Sequence, residues 1–194
     1  VWGLNTVIDE ERDLVFVNFG EILSSHAAAV DFIKPSAVIR VGRKFQTVVT
    51  SAAGYPLDGT YYQTIKGMVT PIDILEPGGT LIIASICSEG FGSNEFRASQ
   101  DKLIALGPSA FLELLMKKRF ADIDEWQTEM QLKPMRIGKI CLYTDGLSLD
   151  EQKATGVEII SDCNAAIAEA VNKKGDPAVA VIPEGPYVVP VSAR

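Results

Sequence analysis

The sequence predicts an α/β fold, a layered, mainly parallel or mixed sheet covered by helices on both faces. Three observations carry that prediction. Strand-like and helix-like segments alternate along the 194 residues, as they do where crossover helices join parallel strands. Thr80 to Cys87 is an unbroken apolar run, the mark of a strand buried on both faces. Ile65, Met68, Val69 and Ile72 recur at helical spacing, so one side of that segment must face a core.

Taken in order, residues 1 to 20 read as a hairpin around Asp9-Glu-Glu-Arg-Asp13, with Val15 to Phe19 as a strand. Glu21 to Ile33 reads as a helix carrying the run Ala27-Ala-Ala29 and the single histidine, His26. Gln46 to Ser51 and Thr80 to Cys87 are strands that flank a helix from Tyr61 to Ile74. Residues 94 to 131 read as three short helices broken at Gly107-Pro108, of which Phe111 to Arg119 is the most apolar. Ile137 to Thr144 and Val157 to Ser161 read as strands around a turn at Asp145-Gly146. Cys163, Ala166, Ile167, Ala170 and Val171 mark a helical stripe, Ala178 to Ile182 a last strand, and Gly185 to Arg194 an extended tail. The whole chain is expected to form a single domain.

The junction between the Gln46–Ser51 strand and its helix is the most informative place. Gly54-Tyr55-Pro56 turns the chain, and Asp58 offers an N-cap. Tyr62, Gln63 and Lys66 then share one face, beside the apolar stripe. Ligands bind in open α/β sheets beside strand C-termini, and free N–H groups at a helix start favour anions. The expectation is a small ligand bearing a carboxylate or phosphate. Ser88-Glu-Gly-Phe-Gly92, after the apolar run, reads equally as a second ligand loop or as a plain turn. Tyr62 reads equally as a core aromatic or a site residue, and Trp126, on an amphipathic helix, reads more readily as core.

Composition narrows the class. A formal charge of −7 and 47% hydrophobic residues fit a domain with an ordinary core and argue against nucleic acid or an anionic membrane as partner. Lys117-Lys118-Arg119 reads as a helix C-terminus. Cys87, Cys141 and Cys163 lack the spacing of a zinc or redox motif and read as reduced thiols of a cytoplasmic protein. His26, alone, makes a poor metal site. No Gly-x-Ser-x-Gly elbow is present for a Ser-His-Asp hydrolase.

Ser51-Ala-Ala-Gly-Tyr-Pro-Leu-Asp58, Tyr62-Gln-Thr-Ile-Lys-Gly67, Glu76-Pro-Gly-Gly-Thr80 and Cys87-Ser-Glu-Gly-Phe-Gly92 together resemble the C-terminal half of the nickel-pincer-nucleotide-dependent lactate racemase family. Gly3-Leu-Asn-Thr-Val-Ile-Asp9, and Gly20 followed by His26, fit the start of that half. The resemblance implies a two-domain α/β enzyme that racemises or epimerises 2-hydroxy acids by hydride transfer to the cofactor, with its active site between the domains. It implies that Gln63 and Lys66 hold the polar groups of the substrate, that Tyr62 is their aromatic neighbour and that Trp126 stands in the cleft. It places the cofactor-bearing lysine, the nickel-ligating histidine and the catalytic histidine pair in the N-terminal half. No catalytic, cofactor or metal residue is therefore expected here. The chain opens at Val1-Trp2 and reads as a fragment, inactive alone, whose partner is the missing N-terminal domain. The competing reading is a stand-alone domain that binds small anions or drives oligomerisation.

Overall fold

The computed structural model describes residues 1–193, which fall into two compact units, Val1–Arg40 and the remainder from Val41. In the first, β1 (Trp2–Ile8) and β2 (Leu14–Glu21) pair antiparallel, Leu4 opposite Phe19 and Thr6 opposite Val17. The expected hairpin is there, closed by Asp9: its carboxylate accepts the Asp13 N–H at 2.8 Å and its carbonyl the Arg12 N–H. The helix α1 (Ile22–Ala37) follows, capped by the Glu21 carboxylate, which accepts the N–H groups of Leu23 and Ser24. Those bonds hold the Glu21 carboxyl below the usual carboxylate range. Asn5, Asn18 and Ser25 interlock between the hairpin and α1. His26 is exposed on α1.

A short strand, β3 (Val38–Val41), leads into the second unit. Its centre is a five-stranded, all-parallel sheet. In chain order it is built from β4 (Phe45–Ser51), α2 (Tyr61–Val69), β5 (Leu75–Ala84), α3 (Asn94–Leu106), α4 (Pro108–Lys117), α5 (Glu125–Ile137), β6 (Lys139–Tyr143), α6 (Leu149–Ala154), β7 (Glu158–Ile160), α7 (Cys163–Lys174) and β8 (Val179–Ile182). A last short strand, β9 (Val189–Ser192), ends the described chain. The strand order β7-β6-β5-β4-β8 reverses direction at β4, the topological switch point of the sheet.

Side-chain alternation divides the sheet into two faces. Val48, Leu81, Ile83, Ile140, Leu142 and Ile182 join Tyr61, Ile65, Met68 and Phe96 in one core. Ile82 and Cys141 are buried on the other face, and α7 packs along β4 and β5. The predicted layered α/β architecture with helices on both faces is the one observed. The three helices after β5 and the break at Gly107 are also as read, Gly107 adopting φ +77°.

Three local expectations are corrected. The strand β5 spans Leu75–Ala84 rather than Thr80–Cys87, and Cys87 sits in the loop with φ +57°. A helix, α6, stands between β6 and β7 where a turn alone was expected; Ser148 and Glu151 cap it reciprocally. Its six residues are too few to show a periodic stripe. Finally, Asp58 does not cap α2. Thr60 does, accepting the Gln63 N–H at 3.3 Å, while Asp58 is buried and accepts the Ile86 N–H across the neighbouring loop.

Candidate functional site

Two loops meet at the C-terminal edge of β4 and β5. The parallel ladder ends at Ser51 opposite Ala84, and the Ala52 N–H extends it by donating to the Ala84 carbonyl. Beyond that the loops lace together. The N–H groups of Cys87 and Glu89 donate to the carbonyls of Asp58 and Gly59 at 2.8 and 2.7 Å, and those of Tyr61 and Tyr62 donate to Gly90 and Phe91 at 3.0 and 3.1 Å. Gly92, at φ +124°, lies so close that a Cβ there would stand 3.0 Å from Cβ of Tyr62. The glycine-rich loop is thus a brace that sets the start of α2.

This lacing overturns the expectation that the helix N-terminus itself binds an anion. The N–H groups of Tyr61, Tyr62 and Gln63 are taken by Gly90, Phe91 and the Thr60 hydroxyl. An anion approaching α2 must therefore be met by side chains. Ser88 and Glu89 are exposed at the tip of the brace.

The helix α2 presents two unlike faces. Tyr61, Ile65 and Met68 are fully buried, with Thr64 beside them. The Tyr61 hydroxyl has two acceptors within reach of its single proton, the Gln131 side-chain oxygen at 2.8 Å and the Thr155 carbonyl at 3.0 Å. Burial, above all, pushes the Tyr61 phenol well above its ordinary pKa. Gly67 lets the helix settle on the sheet, since a Cβ would come within 2.7 Å of the Ser51 carbonyl oxygen. On the outward face Tyr62 and Gln63 are half-buried and Lys66 is exposed, making no ion pair among the described residues. Among the described residues the amide oxygen of Gln63 is shut off from solvent and has no hydrogen-bond partner, a cost of roughly 1–3 kcal/mol for such a group.

Trp126 joins this face through Tyr62. Their rings meet edge to face at 6.0 Å, and Tyr62 meets Phe96 the same way at 5.2 Å. Trp126 is 48% exposed while its neighbours Gln127 and Thr128 are buried, so the indole stands on a rim and not in the core. Burial, then the Asp124 carboxylate, raise the Tyr62 phenol pKa. A concavity of about 180 Å³ borders Trp126, lined by Lys118, Arg119 and Phe120 among others. A larger one of about 230 Å³ lies at the opposite, N-terminal ends of β6 and β7. Neither includes Gln63 or Lys66.

Three residues that the sequence did not single out organise this rim. Gln127 donates to the Tyr62 carbonyl at 2.6 Å, and Ser93 donates from the brace to the Asp124 carboxylate at 2.5 Å. Asp124 itself adopts the left-handed conformation, φ +59°, just before α5. Only Ser93, a helix-capping residue three before Phe96, left a recognisable trace in the sequence. Lys118, read as a plain helix terminus, ends α4 as expected but also grips the buried Glu125 at 2.7 Å.

The Lactate racemase C-terminal domain family matches residues 42–190. The chain belongs to that family. It is 28% identical over 193 residues to a lactate racemase of Thermoanaerobacterium thermosaccharolyticum, covering 96% of this chain and 44% of the relative. To a lactate racemase of Lactiplantibacillus plantarum it is 25% identical over 190 residues, with the same coverage of 96% and 44%. The structure of the lactate racemase apoprotein from T. thermosaccharolyticum superposes with a TM-score of 0.85 at 24% identity, covering 97% of this chain and 45% of that one. A Thermotoga maritima protein superposes with a TM-score of 0.65 at 15% identity, covering 99% and 49%; at these identities the superpositions speak for the fold. The chain spans less than half the length of the relatives it matches.

Proposed function

We propose that this chain is the substrate-side, C-terminal half of a 2-hydroxy-acid racemase or epimerase of the lactate type, inactive without its N-terminal half. The observation that carries the reading is the outward face of α2, where Lys66 and Gln63 stand beside the Tyr62–Trp126 pair, on a chain of this family.

Each residue has a task in keeping with its chemistry. The Lys66 ammonium pairs with the substrate carboxylate or hydrogen-bonds the alcohol or keto oxygen, with three donors to offer. Gln63 accepts from the hydroxyl or donates to the keto oxygen without adding charge. Tyr62 and Trp126 form an aromatic wall that excludes water. Neither Lys66 nor Gln63 removes the carbinol hydrogen.

Among the described residues no three His, Cys, Asp or Glu side chains gather in one place. In this reading the nickel-pincer nucleotide is held by the N-terminal domain and supplies the centre that accepts and returns a hydride. Restoring that half and replacing Lys66 by Ala should lower turnover by at least about 100-fold. Full activity would refute the role. Saturable calorimetric binding of lactate, malate or phosphate to the 194-residue chain by itself would instead favour a stand-alone anion-binding domain.

A further inference from the structure

The hairpin in the first unit is apolar on the wrong side. Along β1 and β2 exposure alternates strictly between Trp2 and Ile8 and between Val15 and Glu21. The inward positions, toward α1, are Gly3, Asn5, Val7, Phe16, Asn18 and Gly20; Asn5 and Asn18 bond Ser25, and Phe16 stacks on Phe32 of α1 at 4.6 Å. The outward positions include Trp2, Leu4, Ile8, Val17 and Phe19, each more than half exposed, with Trp2 at 71% and Phe19 at 70%. Trp2 and Phe19 stack on one another at 5.7 Å across this surface. A solvent-facing hairpin puts its polar residues outward. A contiguous apolar face of this kind marks a buried contact, and two strands alone are marginally stable in water.

Two further observations select the occupant. The boundary between the compact units falls at Arg40, and the C-terminal domain family begins to match at residue 42. The hairpin and α1 thus lie outside the family domain, yet the relatives align over 96% of this chain and continue for more than half their length beyond the match. We infer that the outward face of the β1–β2 hairpin docks on the N-terminal part of the parent polypeptide, and that Val1–Arg40 is the last structural element of that neighbouring domain. The hairpin then adds its strands to an apolar layer supplied by the N-terminal part, and the connection near β3 becomes the passage between domains. This inference rests on the reading that an N-terminal half exists, but not on its chemistry.

Amide hydrogen exchange compares the full-length parent with the 194-residue chain. Protection at Trp2–Ile8 and Leu14–Glu21 should be at least about 100-fold greater in the parent. Replacing Leu4 and Phe19 together by Lys should abolish that gain and leave the exchange of β4 and β5 unchanged. Equal hairpin exchange in the two unsubstituted proteins overturns the inference, whatever the variant does. So does protection in the short chain that rises with its own concentration, because a second copy is then the occupant. Racemase activity is not read in this experiment. A parent that protects the hairpin but racemises nothing leaves the docking intact and removes the functional reading.

Discussion

The hairpin unit and the α/β unit differ in what they leave uncovered. In the α/β unit the apolar residues of β4, β5 and α2 pack inside, around Val48, Leu81, Ile83, Ile65 and Met68. In the hairpin Asn5, Asn18 and Phe16 face inward, while Trp2 and Phe19 face out. The same hydrophobic effect governs both, so the difference reports context. One unit carries its own core, and the other leaves an apolar face uncovered.

The largest test of that contrast is a pair of truncations. Phe96→Ala, at a fully buried ring, should destabilise the α/β unit by about 3–5 kcal/mol, read from urea unfolding. Phe19→Ala, at a ring 70% exposed, should cost under about 1 kcal/mol in the same chain. Comparable losses would mean that the hairpin has a core of its own.

A middle-sized effect is expected at Gly67. Gly67→Ala brings a methyl group to 2.7 Å from the Ser51 carbonyl and 3.0 Å from Ile83. It should cost about 1–3 kcal/mol and weaken substrate binding in the restored parent by displacing Lys66. A variant with wild-type stability would show that α2 is not seated by this contact.

The smallest effect is a titration. The Tyr62 phenol has a raised pKa in the folded chain, through burial first and the Asp124 charge second. Such a group contributes stability that is complete below the unfolded value of 10.0 and is lost as pH rises toward the folded value. Asp124→Asn should move the ultraviolet titration of Tyr62 part of the way back down, leaving the share due to burial. An unchanged titration would remove Asp124 from the surroundings of the phenol. Glu151, held low by its bonds to Ser148, shows the opposite sign on the far side of the brace: its contribution fades as pH falls through the folded value.

Most of the fold could be read from residues whose effects are local. Alternating and continuous apolar runs located β2, β4, β5, β6, β7 and β8, and the stripes of α2 and α7 located their buried faces. Tyr62, Gln63 and Lys66 could be placed on one helix face because helical spacing alone decides that. The Asp58 cap failed because Asp58 and Thr60 are both good capping residues. The choice fell to Thr60 when Asp58 was drawn into the neighbouring loop to satisfy the Ile86 N–H. The anion-binding helix start failed for a related reason, since its donors were claimed by carbonyls some 29 residues away in the chain.

Periodicity and turn chemistry, which act between residues a few positions apart, determined by themselves the α/β class, the succession of the five sheet strands and the shared face of Gln63 and Lys66. Tertiary structure alone decided which N–H groups stay free, that Gln127, Ser93 and Asp124 set the Tyr62–Trp126 rim, and that the hairpin carries its apolar side outward. Those outcomes depend on which distant groups compete for the same hydrogen bond or the same buried surface. No local pattern encodes that competition.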